Sequence, residues 1–282
     1  MNILTFDIED WFHILDNDSS RGEKQWANFA PRLERNTDRL LDLLAATGVR
    51  ATFFCLGWVA EKHPGVIKRI HAAGYELGSH SYRHQLVYEQ SREEFVHDLE
   101  GSLGRLEDLT GTKVLAYRAP GFSITRSNTW AFEVLAAHGI EIDSSVFPAS
   151  RAHGGFPGFG TAQPAIVDHA GMKLKEFPIN TVGLAGQQLI FSGGGYFRLL
   201  PYAAIRWLMA TSPYVMTYFP PRDFDPDQPV LPGLKWHRVF KSYYGLRSAF
   251  DKLKRLLQEF PFVDLRTAEK AIDWRNQPVV KV

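Results

Sequence analysis

Ala51-Thr52-Phe53-Phe54-Cys55-Leu56 is an apolar run of strand length, a helical pattern follows from Val59 to Ala73, and Gly74 then opens a second extended run, Tyr75 to Ser79. A glycine just past the last periodic residue is a helix stop. Two strand-length runs bracketing one helix make a strand–helix–strand unit, which joins parallel neighbours in a sheet. The same alternation extends in both directions. Upstream lie a buried strand at Ile3 to Phe6 and a helix from Pro31 to Thr47, which carries Leu33, Leu40, Leu41, Leu43 and Leu44 and ends at Gly48. Downstream come a helix at Glu93 to Thr110, a strand at Val114 to Tyr117, a helix at Asn128 to His138 and a strand at Ile140 to Ile142. The pattern predicts an α/β fold, a parallel sheet clothed by helices, open or closed as a barrel.

The second half is less regular. Pro148 to Gly171 is rich in glycine and proline and reads as a long loop at a functional rim. Later strands are predicted at Leu174 to Ile179, Tyr214 to Phe219 and Phe262 to Leu265, and helices at Ala203 to Met209 and Leu246 to Glu259. No repeat, low-complexity tract or linker divides the chain, so residues 1–282 are expected to form a single domain.

Composition excludes several functions. A net charge of +1 gives no reason to expect nucleic acid or an acidic membrane surface as partner. The single cysteine, Cys55, rules out an intrachain disulfide and a multi-cysteine zinc site, and its apolar surroundings make it a core residue. No apolar stretch is long enough for a membrane span. Met1 enters a strand-like run with no signal-peptide pattern before it, so a cytoplasmic location is expected.

In parallel α/β folds, sites form at the carboxyl ends of strands. Four polar clusters stand there. Asp7-Ile8-Glu9-Asp10 follows the first strand. Its carboxylates would repel one another if buried alone, and a cation would relieve that repulsion; a solvated acidic turn is the plainer alternative. His80 and His84, in Gly78-Ser79-His80-Ser81-Tyr82-Arg83-His84, follow the third strand. If Ser79 caps a helical turn, both imidazoles project on one side and suit one metal ion. Two histidines and a carboxylate form a common catalytic set with positions left for water. Arg118, after the fourth strand, could pair with a carboxylate, and Pro120-Gly121 favour a turn beside it. Asp143-Ser144-Ser145, after the fifth, could bond an arginine or a sugar hydroxyl, or merely cap a turn.

These clusters resemble the NodB-type polysaccharide deacetylases, carbohydrate esterase family 4, most closely over roughly the first 150 residues. Thr5-Phe6-Asp7-Ile8-Glu9-Asp10, His80-Ser81-Tyr82-Arg83-His84 and Arg118-Ala119-Pro120-Gly121-Phe122 are similar to three of the family's motifs. The wording from Asp7 to His13 further resembles a bacterial subgroup tied to surface-polysaccharide (such as O-antigen) synthesis. The resemblance implies a deformed (β/α) barrel and metal-dependent hydrolysis of an N-acetyl group on an amino sugar, nucleotide sugar or glycan intermediate. It implies Asp7 as general base, Arg118 as its orienting partner, and His80, His84 and a carboxylate as metal ligands. Glu9 is the first choice for that carboxylate and Asp10 the second. One divalent ion is expected, zinc first, with cobalt, nickel or iron also suited to the donors. Trp11 and Tyr82 could stack on a sugar, as could Phe12, although aromatics at strand ends more often pack the core. The turn Pro120-Gly121-Phe122 is expected beside the substrate, and Gly193-Gly194-Gly195-Tyr196-Phe197-Arg198 is a weaker candidate binding loop.

One departure stands out. The family usually places a histidine after a late strand, to protonate the leaving amine, and here Pro220 stands at that point. His13, His153 and His237 are substitutes by residue type. Two other functions therefore stay open: a metal- or sugar-binding pseudoenzyme, and a related amide hydrolase acting on a non-sugar C–N bond.

Overall fold

The computed structural model describes every residue except 16, 152, 185 and 186. The N-terminal run holds strands β1 (Asn2–Ile3) and β2 (Thr5–Ile8). Helices α1 (Glu23–Trp26) and α2 (Leu33–Thr47) lead to β3 (Thr52–Cys55), and α3 (Gly57–Lys62) and α4 (Pro64–Ala72) lead to β4 (Glu76–Ser79). Next come α5 (Arg92–Thr110), β5 (Ala116–Tyr117), α6 (Trp130–Ala137) and β6 (Ile142–Asp143). Two hairpins follow, β7 (Ala165–His169) with β8 (Met172–Glu176) and β9 (Val182–Leu184) with β10 (Gln187–Leu189). The chain closes with α7 (Gly194–Leu199), α8 (Tyr202–Thr211), β11 (Val215–Met216), α9 (Trp236–Tyr243), α10 (Leu246–Glu259), α11 (Leu265–Ala271) and β12 (Val279–Lys281).

Eight strands form the main sheet in the order β12-β7-β8-β6-β5-β4-β3-β2, and every neighbouring pair is parallel except β7 with β8. Past β2 the sheet curls on. β1 pairs with β11 in parallel, Phe6 bridges Phe219, and Gly193 bridges Tyr218. The result is the expected deformed (β/α) barrel, with the strand ends that carry the polar clusters converging on one rim. Phe6 stacks on Phe53 with centroids 5.2 Å apart in the core that the sheet shares with its helices, where Tyr117 also lies, whereas Phe54, on the opposite face of β3, belongs to the second core with Ile3, Ala116 and Ile142.

Local sequence explains the helices that frame the rim. Ser91 and Glu94 close a reciprocal capping box on α5, and Gly111 ends it in the left-handed conformation (φ 65°). The helix predicted over Val59 to Ala73 is instead two helices broken at His63-Pro64. Proline supplies no N–H and pushes the residue before it out of the helical region. The stretch read as one long loop contains β7, whose turn into β8 uses positive φ at Ala170 and Gly171. Phe262 to Leu265 is not a strand. Val263 makes a single bridge to Ile3, and Leu265 already starts α11 under an Asp264 cap. Among the described residues no helix is long and apolar enough to cross a membrane.

Candidate metal centre and active-site cleft

β2 and β4 deliver the first polar groups. Glu9, His80 and His84 each offer a ligand atom, and these atoms all lie within 4.8 Å of one another. The predicted helical turn is absent. His80 and His84 are brought together by a tight bend in which Ser81 (φ 69°) and His84 (φ 54°) are left-handed. Ser81 Oγ accepts from the His84 N–H at 3.0 Å, and Asp98 accepts from the N–H groups of Tyr82 and Arg83, which fixes the bend from below. The imidazole centroids end 5.2 Å apart.

The donor set fits a divalent ion. His80 Nδ1 lies 2.8 Å from the Arg118 carbonyl oxygen, which can only accept, so Nδ1 carries the hydrogen and Nε2 keeps its lone pair. Burial lowers the His80 pKa from its ordinary value, which favours the neutral ligand form. Glu9 Oε2 is 2.7 Å from His84 Nε2, yet it is buried and accepts no hydrogen bond. A carboxylate and two imidazoles that converge without bonding to each other have the composition a zinc-type ion satisfies, with positions to spare for water.

Asp7 stands beside this group at the end of β2. Arg118, fully buried, donates from Nη1 to Asp7 Oδ1 at 2.7 Å and to Thr5 Oγ1 at 2.7 Å, and from Nη2 to Ser144 Oγ at 3.0 Å. Its guanidinium also lies 4.2 Å over the Phe54 ring. Ser144 therefore serves the arginine, and Ser145 bonds both Asp143 and the Ala119 N–H, so this cluster supports the site from behind. Deeper still, burial lifts Glu176 well above the ordinary carboxyl range, and Asp143 beside it adds to the effect. Cys55 is buried and burial raises its thiol pKa far above normal, in keeping with a core role.

Several expected site residues sit elsewhere. Asp10 does not join the metal group, because its carboxylate accepts from the N–H groups of Trp11 (2.8 Å), Arg32 (2.8 Å) and Leu33 (3.1 Å) and so caps the start of α2. Trp11 is 3% exposed and packs edge-on against Phe12 and Phe29, so neither Trp11 nor Phe12 offers a face to a sugar. Tyr82 reaches Glu61 and covers Gly57 and Gly101, outside the cleft. Pro120 is buried under the turn, whereas Gly121 and Phe122 do line the cleft, as do Gly194 and Gly195.

The cleft has a volume of about 230 Å³, and Asp7, Glu9, His80, His84 and Arg118 form its floor. A larger groove of about 770 Å³ lies between α8 and α10, but no metal-ligating cluster lines it among the described residues. His13 and His153 line the cleft and His237 does not. His13 Nδ1 accepts the Asp10 N–H at 3.0 Å, and burial pushes its pKa well below normal, so it is a locked neutral imidazole. Arg198, at the end of the candidate loop from Gly193, lines the cleft as well, and sequence reasoning missed Arg151, Arg222, Asp223, Arg238 and Lys241, which also line it. They come from separate segments of the second half and form no motif; the one available signal was the run Arg222-Asp223 just past Pro220.

Comparison with known proteins agrees with this geometry. Residues 3–142 match the polysaccharide deacetylase family, and residues 144–270 match a domain of unknown function, DUF3473. A Bacillus cereus peptidoglycan-N-acetylglucosamine deacetylase is 34% identical over 98 residues, which cover 34% of this chain and 36% of the relative. A Listeria monocytogenes enzyme of the same description is 34% identical over 84 residues, 30% of this chain and 18% of the relative. The chain thus matches only a minor part of the length of either. An inferred polysaccharide deacetylase from Mycobacterium smegmatis superposes with a TM-score of 0.68 at 18% identity, over 99% of this chain and 92% of that one. A CE4 family pseudoenzyme from Bacillus anthracis gives 0.52 at 14% identity, over 95% and 64%. At these identities the structural likeness speaks to the fold.

Proposed function

We propose that this chain, whose residues 3–142 form a polysaccharide deacetylase domain, is a metal-dependent amide hydrolase that removes the acetyl group from the nitrogen of an amino sugar. The observation that carries this reading is the convergence of Glu9, His80 and His84 beside an arginine-held aspartate. Those three side chains would hold one divalent ion, zinc first. Bound there, such an ion supplies a more acidic water and a polarised acetyl carbonyl. Asp7 takes the proton of the attacking water, and Arg118 keeps that carboxylate aimed into the cleft. Water adds to the acetyl carbon, the C–N bond breaks, and acetate and a free amine result.

The departing nitrogen needs a proton. In this reading His153 delivers it, because it lines the same cleft as Pro220 and is of a residue type that cycles near neutral pH. His13 is fully buried, which pushes its pKa well below normal and keeps it neutral, and His237 is exposed outside the cleft. The two matched stretches act as one catalytic unit, since the cleft draws on Asp7 and His80 from the first and on Arg198 and Asp223 from the second.

The substrate we propose is an N-acetylglucosamine-type residue of a cell-surface polysaccharide or of its precursor. The named relatives favour the first half of that statement, and the Asp7 to His13 wording favours a biosynthetic context, which goes with action in the cytoplasm.

Acetate release from a panel of N-acetylhexosamines, before and after chelation and with divalent metal restored, tests the reading. Release that requires metal supports it. Pro220 favours a second reading, a metal-binding pseudoenzyme, and stoichiometric metal binding with no acetate from any sugar would decide for that one.

A further inference from the structure

The cleft carries more positive charge than its carboxylates neutralise. Asp7 matches Arg118, and Asp223 Oδ1 lies 3.2 Å from Arg198 Nε. Arg222 is 9% exposed and lines the cleft, and its Nη2 is buried with no hydrogen-bond partner. Asp223 feels the charges of both Arg198 and Arg222. Three more cations stand around them. Arg151 lies 4.4 Å over the Phe147 ring, Arg238 donates to the Leu15 carbonyl at 2.7 Å, and Lys241 lines the exposed rim. Among the described residues no carboxylate forms an ion pair with Arg151, Arg222, Arg238 or Lys241. The whole chain has a net charge of only +1, so this is a local concentration.

Such a lining has a physical cost and a physical use. A buried guanidinium without a counter-charge is unfavourable, and a cleft lined by one sign of charge gathers the opposite sign. Guanidinium groups bind phosphate and carboxylate oxygens through paired hydrogen bonds.

We propose that the cleft is built for an amino sugar that carries an anionic group, phosphate or carboxylate, apart from its acetamide. The anion sits on Arg222 and the rim of Arg151, Arg238 and Lys241, while the acetamide faces Asp7 and the Glu9–His80–His84 group. This deepens the deacetylase reading and rests on it for the acetamide end. A neutral glycan offers these four cations hydroxyl acceptors but no counter-charge.

Calorimetric titration of the full chain tests the inference, using N-acetylglucosamine, N-acetylglucosamine 1-phosphate and an N-acetylated hexosaminuronic acid. Each is run with metal-loaded and with chelator-treated protein. One charge-assisted contact predicts binding of a charged sugar about tenfold tighter than the neutral one, or more. The gap should shrink as salt rises and narrow in Arg238→Gln/Lys241→Gln, whose changes lie at the rim and leave Arg151 and the buried Arg222 in place. The phosphate and carboxylate arms then tell which anion is preferred. Equal affinity for neutral and charged sugars overturns the proposal. So does a preference that disappears on chelation, because the anion is then on the metal, and so does one that survives intact in the double variant. Charge preference without any acetate release leaves the anion site standing and removes the deacetylase reading; acetate release without charge preference does the reverse.

Discussion

Arg118 Nη1 and Asp7 Oδ1 lie 2.7 Å apart, and the arginine has no exposure to solvent. The pairing aligns a carboxylate from β2 with a guanidinium that follows β5, and Ser144 past β6 holds the guanidinium's other edge at 3.0 Å. Asp7 therefore has one oxygen committed and the other free to meet a water. Asp7→Asn keeps the shape and removes the base. Acetate release should fall by about 10²–10⁴-fold, while metal titrates to the same stoichiometry as in the wild type. Arg118→Lys should lose most of the activity too, since an ammonium cannot span Thr5, Asp7 and Ser144 at once. An Asp7→Asn protein with wild-type turnover would remove Asp7 from the mechanism.

Glu9 and Asp10 are adjacent, yet their carboxylates have different surroundings: Glu9 converges with His80 and His84, whereas Asp10 accepts three backbone N–H groups. Glu9→Ala should abolish tight metal binding with little change in melting temperature of the metal-free protein. Asp10→Ala should leave the metal stoichiometry unchanged and cost about 1–2 kcal/mol of stability, the scale of a lost helix cap. Metal titration and thermal melting of both variants separate the roles. Metal loss in Asp10→Ala, with Glu9→Ala still binding, would reverse the assignment.

How much of this was legible beforehand follows from where the information sits. Strand–helix alternation and the clusters after β2, β4 and β5 are local patterns, so the barrel and the residues Asp7, Glu9, His80, His84 and Arg118 could be read from sequence. The preference for Glu9 over Asp10 comes from the family resemblance alone, and its physical basis is not local. It depends on the N–H groups of Arg32 and Leu33, which are distant in the chain and reach Asp10 only after α2 docks. Trp11 and Tyr82 were misread as sugar-facing for a related reason: an aromatic at a strand end looks the same in sequence whether it turns toward the cleft or the core. The second half was least legible, because the cations of the cleft arrive from scattered segments: Arg151, Arg198, Arg222, and Arg238 with Lys241 from α9.

In the proposed reaction the leaving amine takes its proton from His153, whose Nε2 lies 3.5 Å from Arg238 Nη1. His153→Ala should lower kcat by about 10²-fold or more, change the alkaline or acid limb of the pH profile, and leave metal binding intact. Partial recovery by added imidazole would mark proton transfer rather than packing as the lost function. Unchanged kcat and pH profile in His153→Ala would show that the amine is protonated by another group.

Glu176 gives a pH prediction with a definite sign. Burial and Asp143 raise its pKa well above normal, so the folded protein keeps a proton that the unfolded chain releases above about 4.3. Stability from this group is present below that value and declines as pH rises toward the folded-state pKa. Glu176→Gln imitates the protonated form: its oxygen can still accept the Val146 N–H, now at 3.0 Å, and its amide can donate toward Asp143. The variant should melt at the wild-type temperature near pH 4 and above it at pH 8. A deficit of the variant that is constant across pH would sink this account.

Asp225 carries the opposite sign. Burial works to raise its pKa, but hydrogen bonds from Arg32 and Asn36 outweigh burial and hold it below the ordinary value. The carboxylate ties the start of α2 to the turn after β11, with Arg32 Nη2 at 2.9 Å from Oδ1 and Asn36 Nδ2 at 2.9 Å from Oδ2. Its contribution is complete above about pH 4, the unfolded aspartate value, and is lost as pH falls through the lower folded-state pKa. Asp225→Asn should therefore cost about 1.5–3 kcal/mol at pH 7, the range for hydrogen bonds to a charged group. Denaturant unfolding of wild type and variant, repeated from pH 7 down to pH 3, should show the two curves approaching each other below pH 4, because the wild type then loses the charge that the variant already lacks. Curves that stay parallel throughout would mean that the Arg32 pairing contributes nothing through its charge.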